Sequence, residues 1–180
     1  EQIFSTALSI ATQDLDLAGK RVVVVAGGTR EPIDAVRFIG NSSSGKQGIE
    51  LAKAATARGA KVKIIAANID LELPAVEEVV RVTTTSDLEN ALQEVGDCDL
   101  LLMPAAVSDF RVEAPVSEKI SRTDNPELKL RLISNPDLIH DFAKSRRTSS
   151  PLIVGFAAVD EGDFDKLVNE GRQKLLSKGI

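Results

Sequence analysis

The chain has 180 residues, 43% apolar and 27% charged, enough for one domain that buries a core without metal or disulfide support. Its 22 basic and 27 acidic side chains give a net charge of −5, and with 3% aromatics and no Trp or Tyr this argues against a basic nucleic-acid footprint, a local basic loop aside. One cysteine, Cys98, and one histidine, His140, exclude an internal disulfide and a Cys-rich zinc site, and no apolar run approaches the ~18 residues that span a bilayer.

Residues 1–20 carry a helical pattern (Ile3, Phe4, Leu8, Ile10, Leu15) ending at Gly19-Lys20. Residues 1–19 read as a lead-in from something upstream, and residues 20–180 as the domain proper. A start at Glu1 fits an excised piece and a trimmed chain equally. No signal-peptide pattern opens the chain, so the expectation is a soluble, cytoplasmic protein of a reducing compartment.

From Arg21 short apolar strands alternate with amphipathic helices. Val22–Ala26, Val62–Ala66, Leu100–Met103 and Leu152–Phe156 have the length and composition of parallel strands covered on both faces, and Val79–Val82 reads as a further strand. Helices are predicted over Ser44–Arg58, whose small face (Gly48, Leu51, Ala52, Ala55, Gly59) suits close packing on a sheet, over Ser86–Val95, and over Asn135–Arg146 with Pro136 in its first turn. Residues 109–133 break the rhythm, with short apolar pieces separated by Pro115 and Asn125-Pro126. A final helix ends at Gly179 as C-cap, and Ile180 reads as the first residue of another strand, so the alternation is expected to continue. The expected class is α/β: a doubly wound, Rossmann-like, mostly parallel sheet with a flap or small antiparallel excursion at about residues 109–133.

Chemistry concentrates at the predicted strand ends. Gly27-Gly28 at the end of the first strand allows close approach of a ligand, although a tight turn explains the pair as well. Gly40 to Lys46 has P-loop spacing up to the lysine, but Gln47 stands where a Walker ATPase places the Ser or Thr that holds magnesium. Ser43, Ser44, Gly45 and Lys46 at a helix start still favour an anion; an ordinary Ser43 or Ser44 N-cap with a solvated lysine is the plain alternative. Arg37 can grip an oxyanion and Asn41 can donate and accept hydrogen bonds, which suits positioning; a structural salt bridge is the alternative for Arg37. The small residues Ala105-Ala106 and Gly155 to Ala158 leave room for a flat group. Asp109 is a ligand contact or a turn residue, and Lys174 and Lys178, four apart, share a helix side where solvated lysines are also common. His140 reads as structural or exposed. Cys98, between Asp97 and Asp99, is disfavoured as a nucleophile because neighbouring carboxylates raise a thiol pKa.

Together, Ala26 to Lys46 (AGGTREPIDAVRFIGNSSSGK), Ala105 to Phe110 (AAVSDF), Glu118-Lys119-Ile120, Asn135-Pro136-Asp137 and Gly155-Phe156-Ala157-Ala158 resemble phosphopantothenoylcysteine synthetase, the second half of the bacterial bifunctional coenzyme A biosynthesis flavoprotein. The resemblance implies a CTP-dependent ligase that joins 4′-phosphopantothenate and cysteine through an acyl-cytidylate. By motif it gives Asn41 and Lys174 catalytic roles and puts Arg37, Asn41 and Ala158 on the substrate side. For the nucleotide it implies Gly28, Ser43, Ser44, Gly45, Lys46, Ala106, Asp109, Gly155, Phe156, Ala157, Glu161, Lys174 and Lys178. Magnesium would arrive with the triphosphate, and no residue is assigned as a metal ligand. FMN belongs only to an upstream decarboxylase domain that this sequence does not include, and residues 1–19 resemble the linker from it.

The complete enzyme is implied to be a homodimer without nucleic-acid or membrane partners. Val159 and Asp160 depart from the family's acidic-Thr pair, and the family continues past Ile180, so loss of activity by truncation is part of the expectation. Two readings of other classes stand beside it. One is a non-catalytic nucleotide-binding module; the other is a nicotinamide-dependent oxidoreductase, which wants a third glycine opening the next helix and an acid closing the second strand, where Asn68 stands.

Overall fold

The computed structural model describes residues 15–123, 126–146, 151–158 and 162–180. In chain order the elements are β1 (Arg21–Gly27), β2 (Arg30–Pro32), β3 (Phe38–Gly40), α1 (Lys46–Ala57), β4 (Lys61–Ala67), β5 (Glu78–Val82), α2 (Thr85–Gln93), β6 (Leu100–Met103), β7 (Phe110–Val112), β8 (Leu132–Ser134), α3 (Leu138–Ser145), β9 (Leu152–Gly155) and α4 (Phe164–Lys178). Five strands pair in parallel in the order β5-β4-β1-β6-β9. The chain builds outward from β1 to one side, then returns to build the other, so the order in which strands are added reverses between β1 and β6, while all five stay parallel.

Burial on both faces explains the valine run of β1. Val22, Val24 and Ala26 pack with Ile64 and Ala66 against Ile49, Ala52 and Ala55 of α1. Val23 and Val25 face the other way, with Ile65, Leu101 and Met103, against Leu88 and Leu92 of α2 and Leu138 and Phe142 of α3. Each fully buried Ile or Leu of these layers stabilises the fold by ~1.5–3 kcal/mol. Gly48 lets α1 approach: a Cβ there would lie 2.3 Å from the Ala26 Cβ.

The doubly wound parallel sheet is as expected, and the element ends show where local chemistry decides. α1 begins at Lys46 rather than Ser44, because Gly45, in the left-handed region at φ 77°, takes the N-cap position with no side-chain cap. α2 begins at Thr85 because Thr84 and Asp87 form a reciprocal capping box. Asp137 caps α3 by accepting from the His140 amide, so Pro136 precedes the helix instead of lying in its first turn. β7 and β8 form the antiparallel excursion with Phe110 opposite Ser134, and Gly179 at φ 73° closes α4. Most of the predicted N-terminal helix lies outside the described residues. Residues 15–20 form a turn in which the Leu17 amide donates to the Arg58 carbonyl and Asp16 pairs with Arg58. Among the described residues no helix is long and apolar enough to cross a membrane.

Candidate active site

The segment after β1 is a β-hairpin, and its turn is organised by one carboxylate. Asp34 is buried; its Oδ1 accepts from the amides of Val36 (2.9 Å) and Arg37 (2.8 Å), and its Oδ2 from Arg37 Nε (2.9 Å) and the Ile120 amide (3.1 Å). Arg37 Nη2 bridges Asp34 and the Ile120 carbonyl, the latter at 2.7 Å, so the pair clamps the hairpin to the 109–133 excursion. The Arg37 guanidinium, aided by the amides and opposed by burial, holds the Asp34 carboxyl well below the usual carboxylate range.

A carboxyl depressed in the folded state contributes stability that is complete above its unfolded pKa of ~3.9 and is lost as pH falls toward the folded value. Urea unfolding at a series of pH values should therefore show Asp34→Asn less stable than the parent at neutral pH but losing less stability between pH 4 and pH 2. Parallel acid limbs for the two proteins would show that the clamp does not titrate this way.

The hairpin returns the chain over the carboxyl ends of β1 and β6. Asn41 Nδ2 donates to the Val107 carbonyl at 3.2 Å, and Ser43 Oγ donates to the Gly27 carbonyl at 2.9 Å. A Cβ on Gly28 would lie 3.2 Å from the Ser43 Cβ, so the loop sits directly on the glycine pair. Ser44 Oγ accepts from the Lys46 amide at 3.4 Å, and Lys46 is the exposed first residue of α1. This start of α1, with a glycine in place of a side-chain cap, favours an anion electrostatically.

The pairing of β1 and β6 does not stop at the strand ends. The Ala106 amide donates to the Gly27 carbonyl (2.8 Å), the Thr29 amide donates to the Ala106 carbonyl (3.2 Å), and Gly28 and Ala106 form a further parallel bridge. Open space lies instead beside β6 and β9, in a cleft of about 250 Å³ whose lining includes Ser108, Asp109, Asn135, Asp137, Phe156 and Lys178. Lys178 pairs with Asp137. Burial pushes the Asp137 carboxyl up, but hydrogen bonds from Lys178 and the His140 amide together outweigh it and hold the group below the usual range. An adjoining apolar cavity of about 600 Å³ between β9 and α4 is lined by Gly155, Ala157, Lys174 and again Phe156 and Lys178. Lys174 bonds Glu170 at 2.8 Å.

Residues 17–180 match the family described as DNA/pantothenate metabolism flavoprotein C-terminal domain. The chain belongs to this family. Among curated relatives it is similar to the coenzyme A biosynthesis bifunctional protein CoaBC of Mycobacterium tuberculosis, 42% identical over 171 residues that cover 91% of this chain and 41% of that protein. It is also similar to the CoaBC protein of Haemophilus influenzae, 38% identical over 185 aligned positions covering 100% of this chain and 46% of that protein. The chain thus spans less than half the length of these relatives. Among solved structures, the C-terminal domain of a CoaBC protein superposes with TM-score 0.74 at 29% identity, covering 93% of this chain and 76% of that one. A DNA/pantothenate metabolism flavoprotein from Streptococcus pneumoniae shares the fold with TM-score 0.78 at 22% identity, covering 90% and 80%.

On this member of the DNA/pantothenate metabolism flavoprotein family, the residues singled out from sequence fall into separate groups. Gly28, Asn41, Ser43, Gly45 and Ala106 gather at the β1–β6 seam, with Ser44 and Lys46 in the same loop. Asp109, Phe156 and Lys178 line the β6–β9 cleft, and Gly155, Ala157 and Lys174 the adjoining cavity. Arg37 lines neither. Its guanidinium is committed to the Asp34 clamp and borders a separate cavity of about 460 Å³ with Lys119 and Arg122. Ala158 is exposed beyond β9, while Glu161 and Asp160 lie outside the described residues.

Sequence reasoning did not single out Ser108, Asn135 or Asp137 as site residues. The Asn-Pro-Asp triplet was the available signal: it counts toward the family resemblance, but read as the start of a helix it received no site role. For Cys98 the direction holds but the main cause differs: burial pushes the thiol up, against Arg146 and Arg21, and the neighbouring carboxylates add less.

Proposed function

We infer that this chain is the CTP-dependent ligase that joins 4′-phosphopantothenate to cysteine. The carboxylate of phosphopantothenate attacks the α-phosphorus of CTP, forming an acyl-cytidylate and releasing pyrophosphate. The cysteine amine then attacks the acyl carbon, the tetrahedral oxyanion collapses, CMP leaves, and the amine's surplus proton passes to solvent. No side-chain nucleophile is needed; the work is positioning and charge stabilisation. Magnesium enters as part of the nucleotide, held by phosphate oxygens.

What carries the reading is the arrangement at one rim of the sheet. The hairpin sets the Asn41 carboxamide over the β1–β6 seam beside the start of α1, and the cleft opens at the carboxyl ends of the adjacent strands. The relatives' role in coenzyme A biosynthesis supports the same reaction. In this arrangement Lys46 and the amides of α1 attract phosphates, the β6–β9 cleft receives the nucleoside, and Lys174 and Lys178 meet the triphosphate. An oxidoreductase is disfavoured by Asn68, which closes β4 at φ 51° and donates from Nδ2 to the carbonyls of Gly28 and Thr83, where a ribose-binding acid would stand.

The test is incubation with 4′-phosphopantothenate, cysteine and magnesium–CTP, with mass-spectrometric detection of phosphopantothenoylcysteine and CMP. Nucleotide turnover without amide overturns the ligase reading, and equal turnover of ATP overturns the choice of CTP. Lys46→Ala should weaken binding of CTP or of phosphopantothenate by ~1–3 kcal/mol, the range of a charge-assisted contact, in calorimetric titration. Unchanged affinity for both ligands at low salt would show a merely solvated lysine.

A further inference from the structure

The segment Ala106–Asp109 is stitched on both sides. Beyond the seam bonds of Ala106, the Val107 carbonyl accepts from Asn41, the Ser108 carbonyl from Asn135 Nδ2 at 2.8 Å, and the Asp109 carbonyl from the Asn135 amide at 2.8 Å. The Ser108 amide donates to Thr29 Oγ1 at 2.9 Å. Behind it runs a buried relay: Thr29 Oγ1 lies 3.2 Å from Thr85 Oγ1, which lies 2.7 Å from Glu31 Oε1. Glu31 Oε1 also accepts from the Thr85 amide at 2.9 Å. With that oxygen as acceptor, the Thr85 hydroxyl gives its one proton to Glu31, Thr29 gives its proton to Thr85, and Thr29 is left to accept from Ser108. Both backbone groups of Ser108 are therefore held in fixed directions.

The side chain of Ser108 is the exception. The residue is only 4% exposed, its Oγ is buried with no hydrogen-bond partner among the described residues, and the residue forms part of the wall of the 250 Å³ cleft. A buried hydroxyl without a partner loses hydration and gains nothing inside the protein. A ligand in the cleft would meet this oxygen after a turn about the Ser108 Cα–Cβ bond and would supply the partner it lacks. Asp109 and Asp137 line the same cleft, so the wall around Ser108 is poorly matched to a triphosphate and fits an uncharged donor or acceptor, while Lys178, shared with the adjoining cavity, would exchange Asp137 for phosphate oxygens there.

We propose that the Ser108 hydroxyl is a specificity contact, hydrogen-bonding a neutral polar group of the nucleoside seated in the cleft, either the base edge or a ribose hydroxyl. This rests on the nucleotide reading given above and adds a residue and a ligand group to it.

The experiment compares the full chain with Ser108→Ala by thermal melting and by calorimetric titration with CTP, UTP and 2′-deoxyCTP. The ligand-free variant should melt at the parental temperature or above, since removing an unpartnered buried hydroxyl removes a cost, whereas its CTP affinity should fall by about 3- to 10-fold. Loss of CTP-over-UTP discrimination assigns the contact to the base. If instead the parent disfavours 2′-deoxyCTP and the variant does not, the contact is to the ribose. Unchanged affinity for all three nucleotides overturns the proposal, as does a lower melting temperature with equal proportional losses for all three, which would mean a structural hydroxyl. Nucleotide binding that depends on Ser108 in a protein that makes no amide would sink the ligase reading alone. Amide formation with a Ser108→Ala protein of parental affinities would sink only the Ser108 contact.

Discussion

In a version extended past Ile180 by the segments the family resemblance implies, Asn41→Asp is expected to slow amide formation by about 10²- to 10³-fold, the usual cost of losing one oxyanion donor, while pyrophosphate release from CTP is affected far less. The carboxamide carries two N–H bonds, and donation of one to the Val107 carbonyl fixes which end of the side chain faces β6. In the proposed reaction, the other N–H would be the donor offered to the oxyanion that forms when cysteine attacks. Aspartate would remove both donors, set a carboxylate against the Val107 carbonyl, and place negative charge beside negative charge as it develops. The proposed carboxylate activation would take place at phosphorus, a different centre, so acyl-cytidylate should accumulate in a single turnover and be visible by mass spectrometry after acid quench. Equal slowing of both half-reactions, or a parental rate, would show that Asn41 has another role.

Gly27→Ala should cost about 2 to 5 kcal/mol of folding stability, combining backbone strain with overpacking. Gly27 has φ 95°, and a Cβ there would lie 1.9 Å from the Ala67 carbonyl oxygen and 2.8 Å from Ile69 Cγ1. The oxygen belongs to the parallel partner of β1 and cannot swing away as a flexible side chain does. Against a typical domain stability of ~5–15 kcal/mol, this is a large fraction of the whole. Gly96→Ala is the control, since a Cβ there meets nothing within 4 Å, and its effect should stay within about 0.5 kcal/mol. Urea midpoints compare them directly; similar midpoints would contradict the close approach of β1 and β4 at Gly27.

The layers of the sheet were legible because their signal is local. Four valines in β1 and the Ile-Ile-Ala-Ala end of β4 are runs that only burial on both faces explains, and the small residues of α1 announce close packing. The β2–β3 hairpin was not legible. Its strands are three residues each, one ends in Pro32, and what makes it a hairpin is Asp34 gathering amides from its own turn and from Ile120, 86 residues away. The site divides along the same line. Gly28, Ser43 and Lys46 stand out as types in a short motif, whereas Ser108 and Asn135 acquire meaning only through Thr29, Glu31 and Thr85, which lie far from them in sequence. Arg37 had both roles open, and what the structure shows is the clamp.

The continued pairing of Gly28 with Ala106 has a consequence for how this architecture diversifies. A dinucleotide is held where two neighbouring strands part and let a bridging pyrophosphate reach the backbone between them. Here those two backbones stay bonded to each other past their strands, and a loop arriving from the hairpin lies over the join. Grafting the missing third glycine would not by itself create a carrier of nicotinamide cofactors, because the entrance would remain laced shut. A redesign would have to unfasten Ala106 first.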